Sequence, residues 1–177
     1  LISLLIASMP AIWSLLHEYQ KNRILTLIYS DSDTLGTGYH IAQSKIAIGS
    51  GGFFGKGLFN SSQVAYGFLP EFHTDFIFAL ICEETGIIGA ITLLTLLLLI
   101  SISILGLAFN AKSAYSRLLL SAIAFYFFIC TFINTGMVSG MLPVVGIPLP
   151  FLSYGGSNLL VCGVALGIVW SQIRESD

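Results

Sequence analysis

Long apolar stretches alternate along the chain with polar segments rich in glycine, proline and aromatic residues. The clearest apolar stretch, residues 87–109, has no charged side chain, and about 20 such residues suffice for a helix to cross a bilayer. Residues 1–16 also lack charge but are too few for a crossing, so we interpret them as a truncated span. The pattern predicts an all-α integral membrane protein with about four transmembrane helices, at residues 1–16, 76–109, 118–138 and 158–173.

Residues 18–74 form a long segment between the first two predicted spans. The segment begins with an amphipathic stretch, residues 19–29, of the kind that lies on a membrane surface. A second helical stretch, residues 39–48, leads into a glycine cluster at residues 49–57. Because the segment is rich in apolar and aromatic residues, disorder is disfavoured, and we predict a loop that folds against the membrane.

The glycine cluster raises the question of a phosphate-binding loop. In the Walker A motif, four residues separate a first glycine from a Gly-Lys pair, and a hydroxyl residue follows the lysine. Here those two places hold Ser50 and Gly57, so the motif is not met. The cluster is more typical of a turn-rich surface loop, although Lys56 remains a candidate phosphate contact.

Residues 141–157 cannot form a continuous helix, because prolines and glycines interrupt an otherwise apolar stretch. Irregular backbone at membrane depth persists only where protein covers it or where it lines a cavity. The stretch ends in Ser157 and Asn158, which are candidates to cap the last span. Asn134, together with nearby glycines, has the spacing of residues that let transmembrane helices pack closely, and we interpret it as a packing residue.

Composition narrows the class of function. The chain is 55% hydrophobic and 9% charged, with a mean hydropathy of +0.90 and a net charge of −2, so nucleic acid is not an expected partner. The three cysteines lie in apolar stretches and offer neither a disulfide framework nor a transition-metal site. Lys112, Arg117 and Arg174 favour a cytoplasmic location for the connector before the third span and for the tail. The rule that basic residues mark the cytoplasmic side weakens for a loop as long as residues 18–74, so its basic residues count for less. The long loop and Asp75 are then predicted to lie outside.

The densest group of polar residues in an apolar context is at residues 69–76, which contain Glu71, His73 and Asp75 just before the second span. Such groups at the mouth of a membrane span are candidates for chemistry. The alternative is that Thr74 or Asp75 caps the following helix. Glu83 and Glu84 follow about two turns later, so that one glutamate and Asp75 line one cleft or, alternatively, the glutamates are an interfacial pair.

Several long motifs follow one another along the chain, at residues 38–52, 55–57, 68–78, 134–150 and 153–157. In this order they resemble the SEDS family of bacteria, whose name stands for shape, elongation, division and sporulation, and they are nearest to the branch that acts in cell elongation. The resemblance implies the C-terminal part of a ten-span fold, with residues 18–74 as an extracellular loop. An isolated fragment of this kind is expected to be inactive.

The resemblance implies a peptidoglycan glycosyltransferase that polymerises lipid II on the outer face of the bacterial cytoplasmic membrane. Its essential acid falls on Asp75, which we expect to act as the base toward the acceptor hydroxyl. Expected partners are a class B penicillin-binding transpeptidase and the membrane proteins of the rod complex, and a divalent cation, Mg or Mn, is a candidate cofactor. Alternatives are a flippase for lipid-linked precursors and a non-catalytic scaffold for a transpeptidase.

The remaining candidate residues have two expected roles. Glu71, His73, Thr74 and Glu84 are expected to position Asp75 or tune its proton affinity. Candidates for binding the substrate and its pyrophosphate are Lys45, Lys56, Gln63, Ser153, Tyr154 and Ser157. Departures from the family pattern occur at Ser61–Gln63, Phe72 and Thr85, and they affect substrate detail rather than Asp75.

Overall fold

The computed structural model describes residues 17, 20–21, 37–65 and 73–176. The first predicted span, nearly all of the amphipathic stretch, Glu71 and Phe72 lie outside these residues. Within the described residues the regular structure is entirely helical, as the sequence pattern predicts. The helices are α1 (Thr37–Ser50), α2 (Ser62–Ala65), α3 (Ile77–Asn110), α4 (Ala114–Val138) and α5 (Gly156–Ser176).

Three of the helices are long and apolar enough to cross a membrane, namely α3, α4 and α5 as far as Arg174. Helix α4 begins at Ala114, before the predicted start, because the Ser113 side chain accepts a hydrogen bond from the Ser116 backbone N–H and caps the first turn. Helix α5 begins at Gly156 and α3 at Ile77, both close to their predicted starts. The chain is therefore a multi-pass membrane protein.

The three spans run alternately up and down. A short connector joins α3 to α4, and the two helices pack together along their length. Cys162 and Val169 of α5 share an apolar core with Ile104, Leu120 and Phe127. The start of α3, the end of α4 and the start of α5 therefore lie together at one end of the bundle, which we call the site end.

The opposite end of the bundle carries basic residues. Lys112 lies in the connector between α3 and α4, and Arg174 lies in the last turn of α5. The Arg117 guanidinium donates a hydrogen bond to the Ala111 carbonyl, at 3.2 Å. Three basic residues therefore lie at the end of the bundle opposite the site end.

Helix α3 is broken at Gly86, whose backbone angles (φ 70°, ψ −167°) are not helical. Residues 51–57, which we call the glycine loop, supply the hydrogen bonds that the break would otherwise leave unmade. Backbone N–H groups of Lys56 and Gly57 donate to the carbonyls of Glu83 and Glu84, at 3.0 Å each. On the other side of the break, the N–H groups of residues 87 and 88 donate to the carbonyls of residues 52 and 53.

We call the contact between the glycine loop and the break in α3 the joint. Its glycines are required because the backbones approach too closely for a side chain to fit. A Cβ at Gly51 or at Gly55 would overlap the backbone carbonyl of α3 that each one contacts. A Cβ at Gly86 would lie 2.4 Å from the Gly55 backbone nitrogen. The glycine loop has the predicted turns and exposed aromatic side chains, Phe53 and Phe54 among them. It is more than a surface turn, because it completes the hydrogen bonding of a broken span.

Candidate functional site

Hydrogen bonds to its backbone carbonyls fix the segment that leads into α3. The His73 carbonyl accepts a hydrogen bond from the Tyr154 backbone N–H, at 2.8 Å. The Thr74 carbonyl accepts one from the Ser153 hydroxyl, at 2.7 Å, and the Asp75 carbonyl accepts one from the Asn134 side-chain amide, at 3.0 Å. Three successive carbonyls are thus fixed by partners from α4 and from the segment before α5.

The Asp75 side chain is partly buried and lies beside the backbone of Gly146. A Cβ added at Gly146 would come within 3.3 Å of Asp75 Oδ2, and Gly146 has a φ of +76°, where side chains are disfavoured. The residue in the cap position of α3 is Phe76, whose side chain makes no cap hydrogen bond, so neither Thr74 nor Asp75 occupies that position.

Residues 139–155, which we call the proline loop, connect α4 to α5 without regular structure. Leu149 and Pro150 are fully buried, so protein covers this part of the irregular backbone, which is one of the two alternatives that the sequence leaves open. The Ser153 hydroxyl also accepts from the Leu149 N–H at 2.7 Å, so it ties the loop to itself and to Thr74. Asn158 lies inside α5 rather than before it, and its amide donates to carbonyls of the proline loop.

Helix α1 packs against the site end. The His40 ring lies 6.0 Å from the Phe76 ring, and the Ser44 hydroxyl donates to the Val138 carbonyl at 2.7 Å. The stem of Lys45 crosses Gly140, where a Cβ would lie 2.1 Å from Lys45 Cε. Lys45 is exposed, so its ammonium group is presented at the end of the bundle that carries Asp75.

Glu83 is fully buried, with 0% of its surface exposed, and its carboxylate is surrounded by donors. Lys56 Nζ lies 2.6 Å from Oε1, and the Ser62 hydroxyl and backbone N–H donate to the same oxygen at 2.6 and 3.0 Å. The Ser61 hydroxyl donates to the second oxygen, Oε2. Burial of an ionised carboxylate requires such compensation, so this group is structural.

The predicted site residues therefore separate into two groups. His73, Thr74, Asp75, Ser153 and Tyr154 come together at the site end. Lys56 and Glu84 lie instead at the α3 break, where Lys56 is engaged by Glu83 and the Ser62 hydroxyl, the latter at 2.7 Å.

Two further candidates, Gln63 and Ser157, remain to be placed. Gln63 is buried near the Glu83 cluster, and its Oε1 has no hydrogen-bond partner in the described part of the chain. Ser157 is exposed in the first turn of α5. Among the described residues, no group of three or more His, Cys, Asp or Glu could hold a metal ion. Because Glu71 lies outside those residues, the expected Mg or Mn ion stays a prediction.

Two residues of the site were missed by sequence reasoning. The spacing of Asn134 and nearby glycines indicates only helix packing. In the structure, the Asn134 amide donates a hydrogen bond to the Asp75 backbone carbonyl. The available signal is a polar amide side chain in an otherwise apolar span. Such a side chain costs free energy unless it has hydrogen-bond partners. Gly146 was treated only as a helix breaker, and its contact with the Asp75 carboxylate has no signature in the local sequence.

Comparison with known proteins gives matches along the whole chain. The cell cycle protein family of FtsW, RodA and SpoVE matches residues 1–177. The peptidoglycan glycosyltransferase MrdB of Escherichia coli K12 is 48% identical over 171 residues, which are 96% of this chain and 46% of that protein. The peptidoglycan glycosyltransferase RodA of Treponema pallidum is 40% identical over 156 residues, covering 88% of this chain and 36% of that protein.

A solved structure is also similar. It comes from work on the structural coordination of polymerization and crosslinking by a peptidoglycan synthase complex. The TM-score is 0.78 at 28% identity, and the match covers 99% of this chain and 47% of that one. The chain thus spans about half the length, or less, of the relatives it matches.

Proposed function

The chain belongs to the FtsW, RodA and SpoVE family of cell cycle proteins, and from this premise we propose that it forms part of a peptidoglycan glycosyltransferase. This is the SEDS family that the sequence motifs resemble. We propose that the enzyme polymerises lipid II into glycan strands during cell elongation and maintenance of cell shape. The observation that carries the proposal is the partly exposed Asp75 side chain on a fixed main chain. The backbone carbonyls of residues 73, 74 and 75 each accept a hydrogen bond.

The reaction needs a base at this position. An acceptor sugar hydroxyl attacks the anomeric carbon of a donor whose leaving group is a lipid pyrophosphate. As the new bond forms, Asp75 removes the hydroxyl proton, a contribution of typically 10²–10⁴-fold to the rate. A single displacement inverts the configuration at the anomeric carbon. His73, beside Asp75 on the fixed segment, and Glu71 are proposed as supporting groups.

The leaving pyrophosphate is a good leaving group and requires charge stabilisation more than protonation. We assign this role to Lys45, whose exposed ammonium group lies at the site end, rather than to Lys56, which is paired with Glu83. The exposed first turn of α5, at Gly156 and Ser157, adds the free N–H groups of a helix N-terminus. A divalent cation, when bound, would add further charge stabilisation of the same kind.

We place the protein in the bacterial cytoplasmic membrane with the site end on the outer face. Lys112, Arg117 and Arg174 lie at the opposite end of the spans, and such residues favour the cytoplasmic side. A lipid-linked sugar whose chain lies in the outer leaflet would then reach Asp75 from the membrane. The proposed partners are a class B penicillin-binding transpeptidase and other proteins of the rod complex. The similar structure of a synthase that couples polymerization to crosslinking supports the transpeptidase.

The test uses the full-length protein, purified in detergent and supplied with lipid II. We expect wild type to produce glycan polymer on a gel and Asp75→Ala to produce none. Glu175→Ala is the matched control, because it removes an acid at the opposite end of α5. If wild type makes no polymer but moves lipid II across liposomes, and Asp75→Ala does the same, the flippase function replaces this proposal. Normal rod growth of cells carrying only Asp75→Ala would favour the scaffold function.

A further inference from the structure

We propose that Asn134 is a positioning residue for glycosyl transfer, because one amide holds both the main chain that bears the Asp75 carboxylate and the loop against which that carboxylate lies. This inference rests on the proposed function and adds a residue to its machinery. Asn134 is a member of α4 and does not itself need to contact substrate.

The amide connects two segments that are distant in sequence. Asn134 Nδ2 donates to the Asp75 carbonyl at 3.0 Å and to the Ile147 carbonyl at 2.8 Å. A side-chain amide has two N–H groups, so this geometry engages both of them. Asn134 is 0% exposed, so no water competes for these two bonds from the surface.

The second polar atom of the amide argues that packing alone does not explain the residue. Asn134 Oδ1 is buried and has no hydrogen-bond partner within the described residues. A buried acceptor without a partner is unfavourable, and an apolar side chain of similar volume would avoid that penalty. The amide is therefore best explained by the two carbonyls that it joins.

The joined carbonyls belong to the residue that bears the carboxylate and to the loop segment beside that carboxylate. Ile147 follows Gly146, and Gly146 is the residue whose Cβ would lie 3.3 Å from Asp75 Oδ2. Holding the Ile147 carbonyl therefore holds Gly146 against the carboxylate, while the second bond holds the Asp75 backbone. Loss of the amide would release both, and displacement of a reacting group by about 1 Å can reduce a rate by about 10²-fold.

A matched control is available at the same end of the bundle. The Ser44 hydroxyl is also fully buried and donates to a carbonyl at the end of α4, that of Val138, at 2.7 Å. This bond joins α1 to α4 and touches neither Asp75 nor the proline loop beside it. Ser44→Ala therefore removes a buried hydrogen bond of similar length without removing the proposed positioning contact.

The experiment compares steady-state polymerisation of lipid II and thermal stability for full-length wild type, Asn134→Leu and Ser44→Ala. We expect kcat of Asn134→Leu to fall roughly 100-fold, with KM for lipid II changed by less than about threefold. Ser44→Ala is expected to lower Tm and to leave kcat near that of wild type. An Asn134→Leu protein with lowered Tm and wild-type kcat would show a purely structural residue and overturn the inference.

Asn134→Gln provides the decisive variant if Asn134→Leu does not fold. It keeps both N–H donors but displaces them by one methylene, so we expect a folded protein with kcat reduced about tenfold. A wild-type kcat in Asn134→Gln would overturn the inference. Failure of the proposed function is distinguishable, because in that case wild type itself makes no polymer.

Discussion

Asp75 and Glu83 lie about two helical turns apart near the start of α3, yet the two residues differ in their exposure to solvent. For Glu83, the carboxylate itself is the target of Lys56, Ser61 and Ser62, and none of the side chain is exposed. For Asp75, the described bonds fix the main chain, and the side chain remains partly exposed beside a glycine. Proximity to a membrane span therefore does not identify a reactive acid, whereas exposure to solvent separates Asp75 from Glu83.

The Glu83 cluster also anchors the described part of the long loop to α3. Its ion pair and serine bonds attach residues 56–62 to α3, next to the backbone bonds by which the glycine loop completes the break at Gly86. The first part of α3, which carries Asp75 at its start, is thereby connected to the loop. Glu83 therefore supports the first part of α3, which follows directly after the proposed catalytic acid, Asp75.

The largest expected effect concerns the joint beside Glu83. Gly86→Ala would place a Cβ 2.4 Å from the Gly55 nitrogen and 2.5 Å from the Phe53 carbonyl oxygen, at a φ of +70°. Because backbone cannot move aside cheaply, we expect a loss above about 4 kcal/mol and little folded protein. Fluorescence-detected size-exclusion chromatography measures the folded yield. Gly106→Ala, with nothing within 4 Å of the new Cβ, should be neutral or slightly stabilising. Equal folded yields for Gly86→Ala and Gly106→Ala would contradict the close backbone packing at the joint.

The next effect separates the two acids directly. Asp75→Asn should reduce lipid II polymerisation by about 10²–10⁴-fold at nearly unchanged Tm, because only the proton-accepting oxygen is lost. Glu83→Gln should lower Tm while the folded fraction keeps most of its activity. The substitution removes the charge that pairs with Lys56 and replaces one acceptor oxygen with an amide donor among the Ser61 and Ser62 donors, and these contacts are structural. Activity per folded molecule and Tm, measured on both variants, decide the comparison. The reverse pattern, with Glu83→Gln inactive and stable, would remove the distinction between the acids.

The two lysines sharpen the same comparison. Lys56→Met should destabilise the protein by about 2 kcal/mol, less than the ~3–5 kcal/mol of a fully buried pair, because the Lys56 side chain is 32% exposed. Lys45→Met should instead reduce polymerisation about tenfold with little change in stability, since its ammonium group is assigned to the pyrophosphate. Thermal unfolding and activity assays on both variants test this. Loss of activity without loss of stability in Lys56→Met would return Lys56 to the substrate contacts.

The smallest effect on activity is expected at the proline loop. Ser153→Ala removes the bonds to the Leu149 N–H and the Thr74 carbonyl, and we expect a cost of about 1–3 kcal/mol. Activity should fall modestly, because Asn134 and the Tyr154 N–H still hold the residues on either side of Thr74. Thermal unfolding of Ser153→Ala and Ser153→Thr tests the hydroxyl, with recovery expected in Ser153→Thr. No change in Tm for Ser153→Ala would show that the hydroxyl does not hold the site.

The sequence by itself determined the three spans that the structure describes, the irregular segment between α4 and α5, and the family. Length and hydrophobicity decide whether a stretch crosses a bilayer, and prolines decide where a helix cannot continue, so both are properties of neighbouring residues. Only the tertiary structure decided which polar residues work together. Asn134 binds a carbonyl 59 residues away, and Lys56 pairs with an acid 27 residues away. Such partners are set by how helices pack and where a broken span accepts a loop, which no local pattern records.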